Sequence, residues 1–92
     1  MFPLRTICED KSVSQTIDEA IKLSPRIEEA FDGLKWRLAR EPENGVKLQG
    51  TNPEKYLFKI TPLIKNIPSI TVLYEFNNHT VTILSIRITP QK

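Results

Sequence analysis

The stretch spanning residues 69–88 constrains the fold most, because two runs rich in β-branched and aromatic residues flank a pair of asparagines. Such residues favour strands, and asparagine tolerates the backbone conformation of a tight two-residue turn. Asn77 and Asn78 therefore predict an antiparallel hairpin in which Tyr74 lies opposite Val81. This register gives the hairpin one nearly apolar face and one mixed face. Because an isolated hairpin is only marginally stable in water, the rest of the chain must cover the apolar face.

Composition limits the class of protein. A chain of 92 residues with 39% hydrophobic and 26% charged residues is typical of one globular domain, here 1–92, with a single core. No apolar run approaches the ~18 residues of a membrane span, and the N-terminus lacks the charged-then-apolar pattern of a secretory signal. The single cysteine, Cys8, cannot form an internal disulfide, which favours a reducing compartment. These features predict a cytoplasmic protein that does not bind a membrane.

Two amphipathic helices are predicted in the first half of the chain. Their apolar residues recur at helical spacing: Val13, Ile17, Ala20 and Ile21 in the first, then Ile27, Ala30, Phe31, Leu34 and Leu38 in the second. Ser12 or Ser14 is the candidate N-cap of the first helix. Ser24 and Pro25 separate the two, because a residue before proline avoids helical backbone and proline suits the first turn of a new helix.

Extended segments surround these helices. Residues 4–8 form a candidate edge strand, residues 46–50 a short extended piece, and residues 55–61 a strand rich in Tyr, Phe and Ile. With the hairpin, this order predicts an α+β fold, β-α-α-β-β-β. We expect two N-terminal helices packed on one face of a mainly antiparallel four-stranded sheet, with the other face left open.

The sequence lacks the residue sets of several common sites. Its three glycines are not clustered, which excludes a glycine-rich phosphate loop, and one cysteine with one histidine cannot supply a zinc site. We therefore expect no metal and no cofactor. His79 lies beside the predicted turn, where a solvated histidine is a better interpretation than a member of a catalytic triad.

Positive charge is concentrated in the second half of the chain. Residues 1–43 contain seven Lys or Arg against nine Asp or Glu, whereas residues 44–92 contain six against two. The candidate phosphate-binding cations of this half are Lys47, Lys55, Lys59, Lys65 and Arg87. Cations on a sheet bind phosphate oxygens, but they also keep proteins soluble and protect sheet edges from aggregation. Both interpretations stay open for each residue.

Trp36 lies off the apolar stripe of the second helix, roughly opposite Ile27. One interpretation is that its ring packs on the first helix. The other is that it is an exposed, partner-binding anchor, because aromatic side chains are frequent in interface hot spots.

In their order and local motifs, residues 4–88 resemble the RelE/ParE superfamily of bacterial type II toxins. The resemblance rests on Leu34…Leu38…Pro42, on Gly45 with the Val46-Lys47-Leu48-Gln49-Gly50 piece, on Lys55-Tyr56-Leu57-Phe58-Lys59-Ile60, on Ile70-Thr71-Val72-Leu73-Tyr74, and on Val81-Thr82-Ile83-Leu84-Ser85-Ile86. It implies a small cytoplasmic toxin that an antitoxin protein wraps and neutralises. For the RelE-like branch it implies metal-independent cleavage of mRNA on the ribosome by basic and aromatic side chains of the open sheet face. For the ParE-like branch it implies inhibition of DNA gyrase.

The resemblance also suggests roles for individual residues. Lys59 matches a frequent basic position and, with Arg87, forms the candidate catalytic pair. The candidate RNA-binding residues are Lys47, Lys55 and Lys65. General acid–base cleavage of RNA needs one group to take the 2′-hydroxyl proton and another to protonate the leaving oxygen. Lys59 is the candidate for one of these steps, and Arg87 is the candidate for binding the phosphate and holding it in position.

Three positions depart from the pattern of the nuclease members. Thr71 stands where an arginine precedes Val-Leu-Tyr, and Leu57 stands at the first of two frequent basic positions. The last strand is followed by neither the histidine nor the tyrosine of those members. The sequence therefore leaves two functions open: an mRNA nuclease, and a toxin-like binding protein that does no chemistry or acts on gyrase.

Overall fold

The computed structural model describes residues 4–50, 54–62 and 67–89. In chain order its elements are β1 (Thr6–Glu9), α1 (Lys11–Leu23), α2 (Ile27–Arg40), a short 3-10 helix (Pro42–Asn44), β2 (Val46–Lys47), β3 (Tyr56–Ile60), β4 (Ser69–Phe76) and β5 (Thr80–Thr89). Two helices combined with one sheet confirm the α+β class.

The sheet differs from the expected four antiparallel strands. Among the described residues it has five strands in the order β1-β5-β4-β3-β2, and β1 runs parallel to β5 while the other neighbours are antiparallel. The expectation of four strands was wrong because β2 contains only two residues, too few to give a strand pattern of their own. The alternation of apolar and polar residues predicts a strand but does not predict which strand it pairs with. The parallel pairing of β1 with the distant β5 could therefore not be predicted from the sequence.

The hairpin forms, but its register differs from the predicted one. Tyr74 pairs with Ile83 rather than with Val81, which instead pairs with Phe76. The Oδ1 atom of Asn77 accepts hydrogen bonds from the backbone N–H groups of His79 and Thr80, each at 2.8 Å. This side chain closes the turn without a positive φ angle at any described non-glycine residue. The asparagine therefore works as a hydrogen-bond acceptor, and the pairing next to the turn shifts by two residues.

A β-bulge in β5 decides which side chains reach each sheet face. Leu73 pairs with Ser85 while the next residue, Tyr74, pairs with Ile83, so Leu84 is an extra residue. Before the bulge, odd-numbered β5 residues pack in the core, and after it even-numbered ones do. Because side chains alternate strictly along a regular strand, one extra residue exchanges the two faces. Arg87 consequently lies on the face opposite to the helices.

The two helices cover one sheet face and form a single core with it. The core consists of Val13 and Ile17 of α1, Ile27, Phe31, Leu34 and Leu38 of α2, and Ile70, Val72, Tyr74, Val81 and Ile83 of β4 and β5. Full burial of one such side chain contributes about 1.5–3 kcal/mol relative to leaving it exposed, so this apolar face supplies the main driving force for folding.

The two helices begin in different ways. Asp10, rather than Ser12 or Ser14, caps α1, because its Oδ1 atom accepts the backbone N–H of Ser12 at 3.0 Å. The second helix begins at Ile27, two residues later than Pro25 suggested, and no side chain caps it. The backbone N–H of Ile27 instead donates to the carbonyl oxygen of Ser24 at 3.0 Å, which closes a tight turn between the helices.

Tyr74 joins the central strand β4 to the segment that follows α2. Its side chain is fully buried, and its hydroxyl donates to the backbone carbonyl oxygen of Pro42. Burial raises the pKa of Tyr74 to about 12, although a hydrogen bond with the Gly45 backbone opposes part of the rise. A Cβ atom at Gly45 would overlap the Tyr74 hydroxyl and lie 2.9 Å from the carbonyl oxygen of Leu57. Gly45 therefore permits a close approach that no larger residue allows.

We predict opposite effects for alanine at two glycines. Gly45→Ala forces a methyl group into filled space and should lower the free energy of unfolding by about 1–3 kcal/mol. Gly33→Ala is the matched control, because a Cβ atom at Gly33 meets nothing within 4 Å and the residue lies inside α2. It should raise stability by about 0.5–1 kcal/mol through helix propensity. Urea unfolding measures both, and equal midpoints for the two variants would contradict the close packing at Gly45.

Tyr74 should also make the protein sensitive to alkali. Because the folded state holds the hydroxyl proton up to a pKa of about 12, against about 10 in an unfolded chain, the unfolded state binds fewer protons between these values. Stability contributed by the neutral phenol is complete below about pH 10 and falls as pH rises through about 12, a loss of about 2–3 kcal/mol. Tyr74→Phe should lack this loss, whereas Tyr56→Phe should keep it. Urea unfolding at several alkaline pH values separates the variants.

Candidate functional site

Three polar side chains form one row across the sheet face opposite to the helices, called here the open face. Lys59 of β3 pairs with Thr71 of β4, and Thr71 pairs with Arg87 of β5. Directly paired residues project to the same face, and neighbouring strands are about 4.8 Å apart, so the Cα atoms of the two cations are about 10 Å apart. This phosphate row, Lys59–Thr71–Arg87, places a hydroxyl between two positive charges.

A second row lies beside the phosphate row. Leu57 pairs with Leu73, and Leu73 pairs with Ser85. Residues of both rows line a depression of about 440 Å³, although Lys59 is not part of its lining. The lining residues are Leu48, Leu57, Thr71, Leu73, Ser85, Ile86 and Arg87. The depression therefore has an apolar floor and a rim of hydroxyl and guanidinium groups, a combination suited to a ligand that carries both an anion and a flat apolar ring.

The bulge at Leu84 makes this row possible. Lys59 reaches the open face by ordinary alternation in β3, opposite to Phe58, which packs against the core. Arg87, in contrast, would point towards the helices if β5 were regular from Ile83 onwards, because both are odd-numbered. The structure thus brings the two candidate catalytic residues to one face.

The candidate RNA-binding residues do not all join this row. Lys47 pairs with Tyr56, whose ring packs against the core, so Lys47 projects to the other sheet face. Its Nζ atom lies 2.7 Å from Oε1 of Glu54. That hydrogen bond and the accompanying charge attraction raise the pKa of Lys47 and lower that of Glu54. The charge of Lys47 is therefore already balanced by a carboxylate.

Lys55 is not one of the three residues of the phosphate row. Lys55 is partly buried one residue before β3, and its carbonyl oxygen accepts the backbone N–H of Leu48 at 2.8 Å. Lys65 lies outside the described residues. The phosphate row is consequently defined by Lys59, Thr71 and Arg87.

Trp36 is largely exposed and is not part of the core between the helices and the sheet. Its side chain is 55% exposed on the outer surface of α2, and the guanidinium carbon of Arg40 lies 5.9 Å from its ring centroid. The ring also lines a depression of about 270 Å³ with Ile7 and Lys35. Of the two interpretations of this residue, the structure supports the exposed one.

Sequence reasoning missed several residues of these surfaces. Alternation along the hairpin predicts Thr71 on the mixed face that the helices leave open, although the residue departs from the family pattern. The predicted pairing places Ser85 opposite Ile70 on the apolar face. Only the bulge at Leu84 brings Ser85 to the open face, where it pairs with Leu73. Arg37 and Arg40 were also missed, although they lie three residues apart beside Trp36 on the exposed side of α2, and that spacing was a usable signal.

Other functional groups lie far from the row. His79 is in the turn between β4 and β5, eight residues from Arg87, which corresponds to roughly 25 Å along a strand. Within residues 4–50, 54–62 and 67–89, no three histidine, cysteine or carboxylate side chains are grouped to hold a metal ion. No helix in the same part of the chain combines the length and the apolar character needed to cross a membrane.

Comparisons of the chain with protein-family models, with curated proteins and with solved structures found no match.

Proposed function

We propose that the chain is a toxin-like protein of the RelE/ParE kind that binds the RNA backbone on its open sheet face. The observation that carries this proposal is the phosphate row, in which Lys59 and Arg87 flank Thr71 on three adjacent strands. Lysine, arginine and threonine side chains are common ligands of phosphate oxygens. The guanidinium of Arg87 provides paired donors, whereas the ammonium of Lys59 acts as a point charge.

The apolar row extends the site beyond one phosphate. Leu57 and Leu73 lie next to the phosphate row and are only partly buried, so they offer a surface for the ring of an unpaired base. Single-stranded RNA exposes such bases, whereas a duplex keeps them stacked inside. Single-stranded RNA is accordingly the proposed ligand class.

Cleavage of mRNA on the ribosome is the second candidate function. It is favoured by the placement of two cations on either side of a hydroxyl, which can stabilise charge that develops on a cleaved phosphodiester. Cleavage also requires proton transfer to and from the reacting oxygens. Among the described residues, the phosphate row contains neither an imidazole nor a carboxylate, so a bound partner would have to supply one of the two transfers.

The wider setting rests on the resemblance. Two helices on one face of a sheet whose other face is open suit a toxin whose activity an antitoxin protein controls. On this proposal the protein acts in the cytoplasm, without a cofactor, and its partners are the antitoxin, mRNA and the ribosome. Inhibition of DNA gyrase is the corresponding alternative for a form that does not act on RNA.

RNA binding should depend on the phosphate row. We expect Lys59→Ala with Arg87→Ala to weaken binding of a fluorescein-labelled oligouridine by about tenfold or more in an anisotropy titration. The slope of log affinity against log salt should become shallower by about 1.4, because two single-strand phosphate contacts are lost. Lys47→Ala is the matched control, since it removes a lysine from the other sheet face and should change affinity less than twofold. If the double variant and Lys47→Ala lose the same amount of affinity, RNA binding does not depend specifically on the phosphate row.

The enzymatic candidate is tested by primer extension on an mRNA that is being translated. If the protein cleaves, new 5′ ends should appear only in the presence of ribosomes and should disappear with Lys59→Ala plus Arg87→Ala. A gyrase supercoiling assay with the same preparations identifies the alternative. If cleavage persists in the double variant, Lys59 and Arg87 are not part of the mechanism. If the protein stops gyrase from supercoiling DNA and does not bind RNA, inhibition of gyrase replaces RNA binding as its function.

A further inference from the structure

The second half of α2 carries an exposed surface that the proposed function does not use. We call Trp36, Arg37 and Arg40, with the adjoining Asn44 and Phe58, the Trp36 surface. Arg37, Arg40, Asn44 and Phe58 line a pocket of about 150 Å³, to which Glu41 also contributes. The guanidinium of Arg40 lies over the ring of Trp36, with 5.9 Å between its carbon and the ring centroid.

Helix geometry makes these groups continuous. Arg40 lies about one turn after Trp36 on the same side of α2, and Arg37 is displaced by about 100° towards the pocket. Gly33 lies one turn before Arg37, and no heavy atom lies within 4 Å of where its Cβ atom would stand. The missing side chain leaves room for a chain that runs along α2 beside the tryptophan.

The two arginines of the surface are not held in ion pairs within the part of the chain that the structure describes. In that part, Arg26, Lys35 and Lys47 form ion pairs, whereas Arg37 and Arg40 do not. The carboxylate of Glu41 lines the same pocket, where it accepts a hydrogen bond from the side chain of Asn44. Two guanidinium groups at a pocket mouth are suited to a carboxylate, which they bind with paired hydrogen bonds.

The same helix argues against a nucleic acid at this place. Its first turn carries Glu28 and Glu29, and Asp32 follows on the exposed surface. A nucleic acid backbone presents regularly spaced negative charges and would be repelled along this stretch. A polypeptide can place one acidic side chain against the arginines and an apolar one against the indole.

We propose that the Trp36 surface binds an acidic polypeptide segment, with a carboxylate between Arg37 and Arg40 and a neighbouring apolar side chain on Trp36. Because the surface lies on the helix side of the sheet, this segment does not compete for the phosphate row. A polypeptide bound at α2 and an RNA bound at Lys59 and Arg87 can therefore occupy one molecule at the same time. The proposal does not depend on the proposed RNA-binding function.

The single tryptophan of the chain provides a direct reporter of this surface. The probe is a synthetic peptide without aromatic residues that carries one Glu and, one helical turn away, one Leu, so that no further carboxylate lies against the acidic first turn of α2. Titration at low salt should shift the emission of Trp36 to shorter wavelength, because the peptide covers the indole. Arg37→Ala with Arg40→Ala should weaken the measured affinity about tenfold or more. The matched double variant Lys59→Ala with Arg87→Ala should leave it within twofold.

Two further measurements decide the identity of the partner. A peptide with Gln in place of Glu should bind at least tenfold more weakly, and Arg37→Glu with Arg40→Glu should instead bind a peptide with Lys in place of Glu. Oligouridine should not change the emission of Trp36. The proposal is overturned if the acidic peptide does not bind with a dissociation constant below about 1 mM, if binding survives loss of both arginines, or if oligouridine causes the shift and loses it with the arginines. Circular dichroism of each variant verifies that α2 remains folded.

Discussion

The pairing of β4 with β5 is the interaction on which the rest of the structure depends. These two strands are the longest, and they carry core residues on one face and candidate ligand-binding residues on the other. Both helices pack over the apolar side of this pair, while β1 and β3 extend it at either edge. A change in the β4–β5 register would therefore alter the core and the phosphate row together, because one residue of slip exchanges the faces of a strand.

Much of the fold could be predicted from local patterns, whereas the alignment of its parts could not. Helical periodicity located α1 and α2, and strand composition located the hairpin. The register was missed because Asn77 accepts hydrogen bonds through its side chain instead of adopting a left-handed backbone. The bulge at Leu84 was also invisible, since the run from Val81 to Ile88 is apolar enough to fit either face after the interruption.

For the candidate site too, the sequence predicted the residues but not how the strands bring them together. Lys59 and Arg87 were named from charge and resemblance, and the strand pairings bring them to one row. Lys47 has the same charge but faces the helices and binds Glu54, seven residues further along the chain. Composition cannot distinguish Lys59 from Lys47, because they differ only in the sheet face they occupy and in whether a carboxylate pairs with them. Arg37 and Arg40 escaped notice because helix positions outside the apolar stripe are usually read as solvated charge.

The short length of β1 has a consequence for the outer edge of the sheet. β1 pairs only with Thr80–Ile83, so the second half of β5 has no strand beside it on that edge among the described residues. Unpaired backbone groups of this kind are a template for intermolecular strand addition. Arg87 lies within this uncovered half, where its charge and the irregularity at Leu84 both discourage a second chain from pairing. The arginine of the phosphate row thus also opposes edge-to-edge pairing of two copies of the chain.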